Sequence, residues 1–291
     1  MPKPLISVGQ IIDQAWDHYR KHFVEMLSVS SWVLILAILY TVAFALYPSS
    51  IYLASVQEPT LIHNLSIILA LVTGFIVAPI LGFWIFAYLV QVIDKEAKGK
   101  RVNLKALAKT SWKKFLPLLL VNVLFTLLIF STLLSLVPGF GLIGLGFFLS
   151  NGIIGTIGTI LLILGLFVLG IIVIYWAVRY FFVGYAAVLD DQHGKSAFVA
   201  SRKVVGNDFW PILLRVTVPK ILYFIIFAAI QMGIGAIIIY FVAGVAGSDF
   251  ELSERLLTIL NTILALVITV LINPLVLITD YLIYESAKNR S

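Results

Sequence analysis

An all-α, polytopic transmembrane helical bundle of six spans is the fold class this sequence predicts, and three observations predict it. Of 291 residues, 61% are hydrophobic and only 12% charged, with a mean hydropathy of +1.08, outside the range of a soluble domain. Long stretches lack any charged side chain, and each is sufficient to cross about 30 Å of hydrocarbon at about 1.5 Å per helical residue. The basic residues fall almost entirely in alternate gaps between those stretches, 19 of 20 on one side of the resulting map.

The elements follow in order. Residues 7–22 read as a short interfacial helix, with Val8, Ile11, Ile12, Ala15, Tyr19 and Phe23 on one stripe and Ser7 and Gln10 spaced as a capping box. Asp13, Asp17 and Glu25 in this segment do not suit a cleaved signal peptide. The first span covers 26–47 and the second 65–93. Eight basic residues then occupy 94–114, including a second interfacial helix over 103–114. There Lys105, Lys109 and Lys113 line one face at i, i+4, i+8, and Leu104, Leu107, Ala108, Ser111, Trp112 and Phe115 line another.

Residues 115–178 form a stretch of 64 without Asp, Glu, Lys, Arg or His, too long for one span. Pro138, Gly139 and Gly141, with further glycines at 144, 146 and 152, predict the turn and leave spans over 115–137 and 153–178. Gly152, Gly155, Gly158, Gly165 and Gly170 give the fourth span a small-residue side suited to close helix contact. Six basic residues in 179–220 surround a third interfacial helix over 196–205, with Gly206 placed to end it. Spans over 221–246 and 256–280 complete the set.

Organisation is that of a single domain of three hairpins, each preceded by a basic interfacial helix. Residues 15–23, 107–115 and 201–209 share a frame of nine that ends on phenylalanine and leads into a span, which points to an internal repeat. Pro117 and Pro211 follow at the same offset in two of the three. The positive-inside rule places both termini in the cytoplasm of a multi-pass cell (inner) membrane protein. An anionic cytoplasmic leaflet accounts for the net charge of +6, with membrane-protein partners allowed and no nucleic-acid motif found. Cysteine is absent, which removes disulfides, thiol nucleophiles and cysteine metal sites.

Candidate residues fall into two groups. Lys105, Lys109, Lys113, Trp112 and Trp16 are the membrane-surface set. Asn122, Gln231, Asn261 and Asn273 lie inside apolar runs, where polar groups face other helices or a solute path. Arg179, Arg215 and Lys220 adjoin the fourth and fifth spans while Asp280 ends the sixth, so Asp280 is expected to pair with one of these cations. Pro79, Pro219 and Pro274 are expected to bend their helices and free backbone carbonyls. His18 and His22, one turn apart beside Asp13 and Asp17, have the spacing of a metal pair. With no third ligand on the same face, they read as solvated side chains, and no metal or other cofactor is expected. Gly194, Lys195 and Ser196 imitate the end of a phosphate-binding loop, but Leu189 stands where its first glycine is required. Asp190 and Asp191 read as loop-solvating carboxylates.

The Ala15-Trp16 start, the run Val188, Leu189, Asp190, Asp191 with Gly194, and the helix with Ser201 leading to Phe209-Trp210 resemble a known group. So do Asn273-Pro274 and the closing Tyr281, Leu282, Ile283, Tyr284, Glu285. The chain is similar to bacterial six-span membrane proteins related to the membrane domain of glycerophosphoryl diester phosphodiesterases, a group mostly of unassigned function with members implicated in envelope maintenance. The resemblance does not carry the phosphodiesterase activity, whose separate barrel domain needs on the order of 250 residues that these spans do not supply. The expected role is therefore non-catalytic, exerted on the membrane or on partner membrane proteins. The alternative is a small transporter or channel for a hydrophobic or lipid-like solute, with Asn122, Gln231 and Asn261 lining its path.

Overall fold

A computed structural model describes residues 5–47, 58 and 60–290. The described residues are predominantly helical, without strands, and six helical segments are long and apolar enough to cross a membrane. In chain order the helices are α1 (Val8–Lys21), α2 (Phe23–Ser30), α3 (Leu34–Leu46), α4 (Leu61–Val72), α5 (Ala78–Ala97) and α6 (Leu104–Thr132). They continue with α7 (Val137–Phe148), α8 (Gly152–Arg179), α9 (Val183–Leu189), α10 (Lys195–Val205), α11 (Phe209–Ala246) and α12 (Phe250–Lys288). The predicted first external segment, 48–64, lies largely outside the described residues.

Read from sequence as one domain, the chain groups into two compact units. One comprises Leu116–Leu213 with the tail from Ala287, and the other Pro4–Phe115 with Leu214–Ser286. We refer to them as the central unit and the flanking unit.

In the flanking unit, α1 starts on the capping box, the Ser7 hydroxyl accepting from the Gln10 N–H and the Gln10 side chain from the Ser7 N–H. It buries Ile11, Ala15 and Tyr19, the stripe its sequence predicts. His22 closes it in a non-helical conformation, and α2 begins the first span at Phe23. The second expected interfacial helix, 103–114, is not separate. It is the beginning of α6, which runs on through Pro117. The start of α6 is tied to α5: Tyr88 Oη donates to the Leu104 carbonyl at 2.7 Å and Trp84 Nε1 to that of Ala108 at 3.2 Å. Gln91 Nε2 donates to Ser111 Oγ at 2.9 Å. These tethers fix the direction of α6 before the chain reaches its apolar part, so no break is needed at the boundary.

In the central unit the turn expected near 138–152 is much shorter. Pro138 sits in the first turn of α7, where a missing N–H costs nothing, and the helix continues to Phe148. The chain reverses at 149–151, where the Asn151 side chain accepts from the N–H groups of Ile153 and Ile154 and starts α8. Of the glycines that read as turn formers, Gly139 and Gly146 are instead contact points between α7 and α8, while Gly141 and Gly144 have open space around them; Gly158, read as a packing glycine, is a contact point too. A Cβ on Gly146 would lie 2.4 Å from the Gly155 nitrogen, and one on Gly158 would lie 2.5 Å from that of Ile143. Exposed backbone is costly where water is absent, so a helix rich in glycine persists and uses them for close approach. Gly152 and Gly170, expected on the same packing side, meet nothing within 4 Å. At the other end of this unit α10 is a separate helix, ended by Gly206 at φ +50.

Candidate functional site

Buried side chains concentrate at the basic end of the helices in the flanking unit, and polar contacts organise that end. Upstream of α1, the Ile6 N–H donates to Ser286 Oγ at 3.0 Å and Arg215 Nε donates to the Ile6 carbonyl at 2.6 Å. Farther along, Tyr19 Oη donates to the Leu271 carbonyl at 3.0 Å. Pro274 has no N–H to offer Val270, and Tyr19 meets the next carbonyl beside that interruption. Burial pushes the Tyr19 phenol above its ordinary value of 10.0. Residues 6–22, 94–104, 215–220 and 280–286 thus share one end of the unit, as the alternating basic map requires. At the opposite end Arg255 pairs with Glu251 at 2.8 Å, one turn away, and donates to the Ala45 carbonyl.

Among the cations offered to Asp280, Lys220 takes the place, its Nζ 3.0 Å from the carboxylate. Tyr223 and Thr279 share a hydrogen bond of 3.2 Å one turn away, and Tyr281 Oη donates to Asp94 at 3.1 Å. Arg215 donates to the Ile6 carbonyl. In the central unit, Arg179 Nη1 donates to the Gly206 carbonyl at 2.7 Å, satisfying the end of α10. Ser201 Oγ donates to the Arg179 carbonyl at 3.1 Å and accepts from the Phe182 N–H at 3.2 Å. Asp190, read as a solvated carboxylate, pairs with Lys288, and Asp208 with Arg290.

The membrane-surface set stands where its pattern puts it. Lys105, Lys109 and Lys113 are exposed, on the face away from buried Leu107 and Ser111. Trp112 is half exposed and stacks on Trp84 with ring centroids 5.4 Å apart; Trp16 is similarly exposed against Tyr19. The intramembrane amides divide. Asn122 and Asn261 each donate to a carbonyl one turn back in their own helix, Leu118 and Leu257, both at 2.8 Å. Gln231 and Asn261 nonetheless line one cleft of about 650 Å³ between α11 and α12, otherwise walled by apolar groups such as Phe224, Met232 and Ile268. Asn273 is half-buried beside Pro274.

The reading of His18 and His22 as solvated side chains without a third ligand is corrected by Glu96. Its carboxylate, at the end of α5, lies 3.2 Å from His18 Nε2 through Oε2 and 3.5 Å from His22 Nδ1 through Oε1. The Glu96 side chain is 2% exposed, those of His18 and His22 18% and 23%. One ligand atom from each residue falls within 4.8 Å of the others. A cleft of about 480 Å³ opens on this cluster, lined by Lys21, His22, Glu25, Glu96, Lys100 and Arg101 among others. Nothing local to residues 18–22 announces Glu96, which stands 78 positions from His18.

No family model matches the chain, and neither curated proteins nor solved structures supply a significant relative.

Proposed function

We propose that this chain is a non-catalytic protein of the bacterial inner membrane, both termini cytoplasmic, that works through a basic collar, the interfacial segments 7–22, 103–114 and 196–205, on anionic lipid and on partner membrane proteins. The observation that carries this reading is the stripe of exposed Lys105, Lys109 and Lys113 beside half-exposed Trp112, on a helix held from behind by Trp84, Tyr88 and Gln91. Ammonium groups fixed near an anionic surface contribute about 1 kcal/mol each. Likeness to the six-span group related to the phosphodiesterase membrane domain, implicated in envelope maintenance, agrees with it.

The collar is proposed to be a threefold internal repeat. The first and fifth positions of each frame are buried: Ala15 and Tyr19, Leu107 and Ser111, Ser201 and Val205. The third positions, Asp17, Lys109 and Lys203, are all exposed. This shared pattern of burial supports the repeat, within what helical periodicity alone produces.

Two experiments test the reading. Single cysteines at Ala97 and Asn289 should resist an impermeant reagent in intact cells while one at Ser248 reacts; labelling at Ala97 from outside reverses the orientation. In nanodiscs of mixed anionic and zwitterionic lipid, replacing Lys105, Lys109 and Lys113 by Gln should cut anionic-lipid enrichment around the chain roughly tenfold or more. Unchanged enrichment rejects the collar. A second reading, transport of a hydrophobic or lipid-like solute, is favoured by the cleft that Gln231 and Asn261 share. Gln231→Leu with Asn261→Leu should abolish cellular function under that reading and spare it under the first.

A further inference from the structure

We propose that His18, His22 and Glu96 form a binding site for one divalent transition-metal ion of the zinc class, with three protein ligands and a fourth position facing the cleft. Two imidazoles and one carboxylate are a donor set used for zinc where one coordination position stays open. The spacing fits as well as the chemistry. Zinc bonds of about 2.0–2.2 Å at tetrahedral angles hold neighbouring ligand atoms about 3.3 Å apart. The two histidine-to-carboxylate separations, 3.2 Å to Oε2 and 3.5 Å to Oε1, are of that order, one to each carboxylate oxygen, and one ligand atom from each of the three residues lies within 4.8 Å of the others.

The carboxylate itself calls for a cation. Glu96 is buried and its Oε1 has no hydrogen-bond partner among the described residues, an arrangement that costs free energy unless positive charge compensates it. Lys21, Lys100 and Arg101 line the cleft, but Glu25 shares it with them, and none of the three has an ion pair to Glu96 within 4.0 Å. Protonated imidazoles would serve as the alternative, and the test separates the two.

The frame is built before any ion arrives. The capping box, the buried stripe and the Tyr19 hydroxyl hold α1 in place. His18 in α1 and His22 at its cap lie one turn apart with ring centroids 5.0 Å from each other, on the side that meets the end of α5. An ion at this point joins α1 to α5, and the cleft of about 480 Å³ gives it a route in and room for a bound water.

The experiment uses the whole chain, purified without a polyhistidine tag and stripped by chelator, titrated with Co²⁺ and then Zn²⁺ alone. One Co²⁺ per chain should bind with the intense visible bands of tetrahedral coordination, and one equivalent of Zn²⁺ should erase them. Glu96→Gln and His18→Ala should each weaken Zn²⁺ binding by roughly a hundredfold or more. Because Glu96 is buried, His22→Ala, at a more exposed ring, provides a second variant, with the helical circular dichroism of each checked against the parent. Zn²⁺ should also raise the unfolding temperature of the parent and leave that of His22→Ala unchanged. Binding that is equally tight in folded His22→Ala, or no stoichiometric Co²⁺ signal in the parent, overturns the site in favour of an imidazolium–carboxylate pair.

Discussion

The basic end of the flanking unit and the α7–α8 hairpin of the central unit hold helices together by opposite means. At the basic end, side chains reach across: Tyr88, Trp84 and Gln91 secure α6, Tyr19 secures α12, and Lys220 meets Asp280. In the hairpin the contact is backbone against backbone, at Gly146 with Gly155 and at Gly158 with Ile143. Lipid tails are as apolar as leucine, so burial alone does not bring membrane helices together, and either close packing or interhelical hydrogen bonds must. Where water and headgroups are near, polar tethers are used; where the chain is wholly apolar, glycine is.

The largest break in that comparison should come from the hairpin. Gly146→Leu or Gly158→Leu places a side chain on an unyielding backbone and should destabilise the chain by about 3 kcal/mol or more in denaturant titrations. Gly170→Ala, with open space around it, should change stability by no more than about 0.5 kcal/mol. If both classes behave alike, the hairpin is not held by glycine contact.

Next comes the ion pair. Asp280→Ala removes the carboxylate 3.0 Å from the Lys220 ammonium, and a cost of about 2 kcal/mol is expected, below that of a fully buried pair because Lys220 is partly exposed and can turn outward. The exchange Lys220→Asp with Asp280→Lys should recover part of it, read by the same titration.

Tyr19→Phe removes one hydrogen bond to Leu271 and should cost about 1 kcal/mol at neutral pH. Its phenol is raised by burial above 10.0, so the unfolded chain loses this proton first. Stability from Tyr19 is therefore complete below that value and declines as the pH climbs through the raised one. Melting curves in alkaline buffer should show a shallower decline for Tyr19→Phe than for the parent.

The smallest effect on stability belongs to Lys105, Lys109 and Lys113. Their triple replacement by Gln should move the unfolding midpoint by no more than about 0.5 kcal/mol, because the three are exposed. A large loss would make the stripe a part of the fold and not a surface for lipid.

A structural feature is legible in the sequence when the interaction behind it is short in range. Helix α1, its capping box and its buried stripe depend on neighbours within a few positions, and they appear where residues 7–22 put them. Gly206 ends α10 for the same reason. The turn after the third span lies beyond Pro138, which together with its glycines has two meanings, breaking a helix in water and allowing contact in lipid, and only the facing α8 selects between them. Asp280 could have met Arg179, Arg215 or Lys220; its pairing with Lys220 depends on how α11 lies against α12.

By itself the sequence determined the class of fold, six apolar helices, the lysine stripe and the grouping of basic residues into alternate gaps between apolar runs, because transfer free energy and helical period are properties of contiguous residues. Tertiary structure alone decided that α6 runs unbroken from Leu104, that the hairpin reverses at 149–151, and that Glu96 joins His18 and His22. Each of these depends on which helix comes to lie beside which, and a partner 78 positions away leaves no trace in the local pattern.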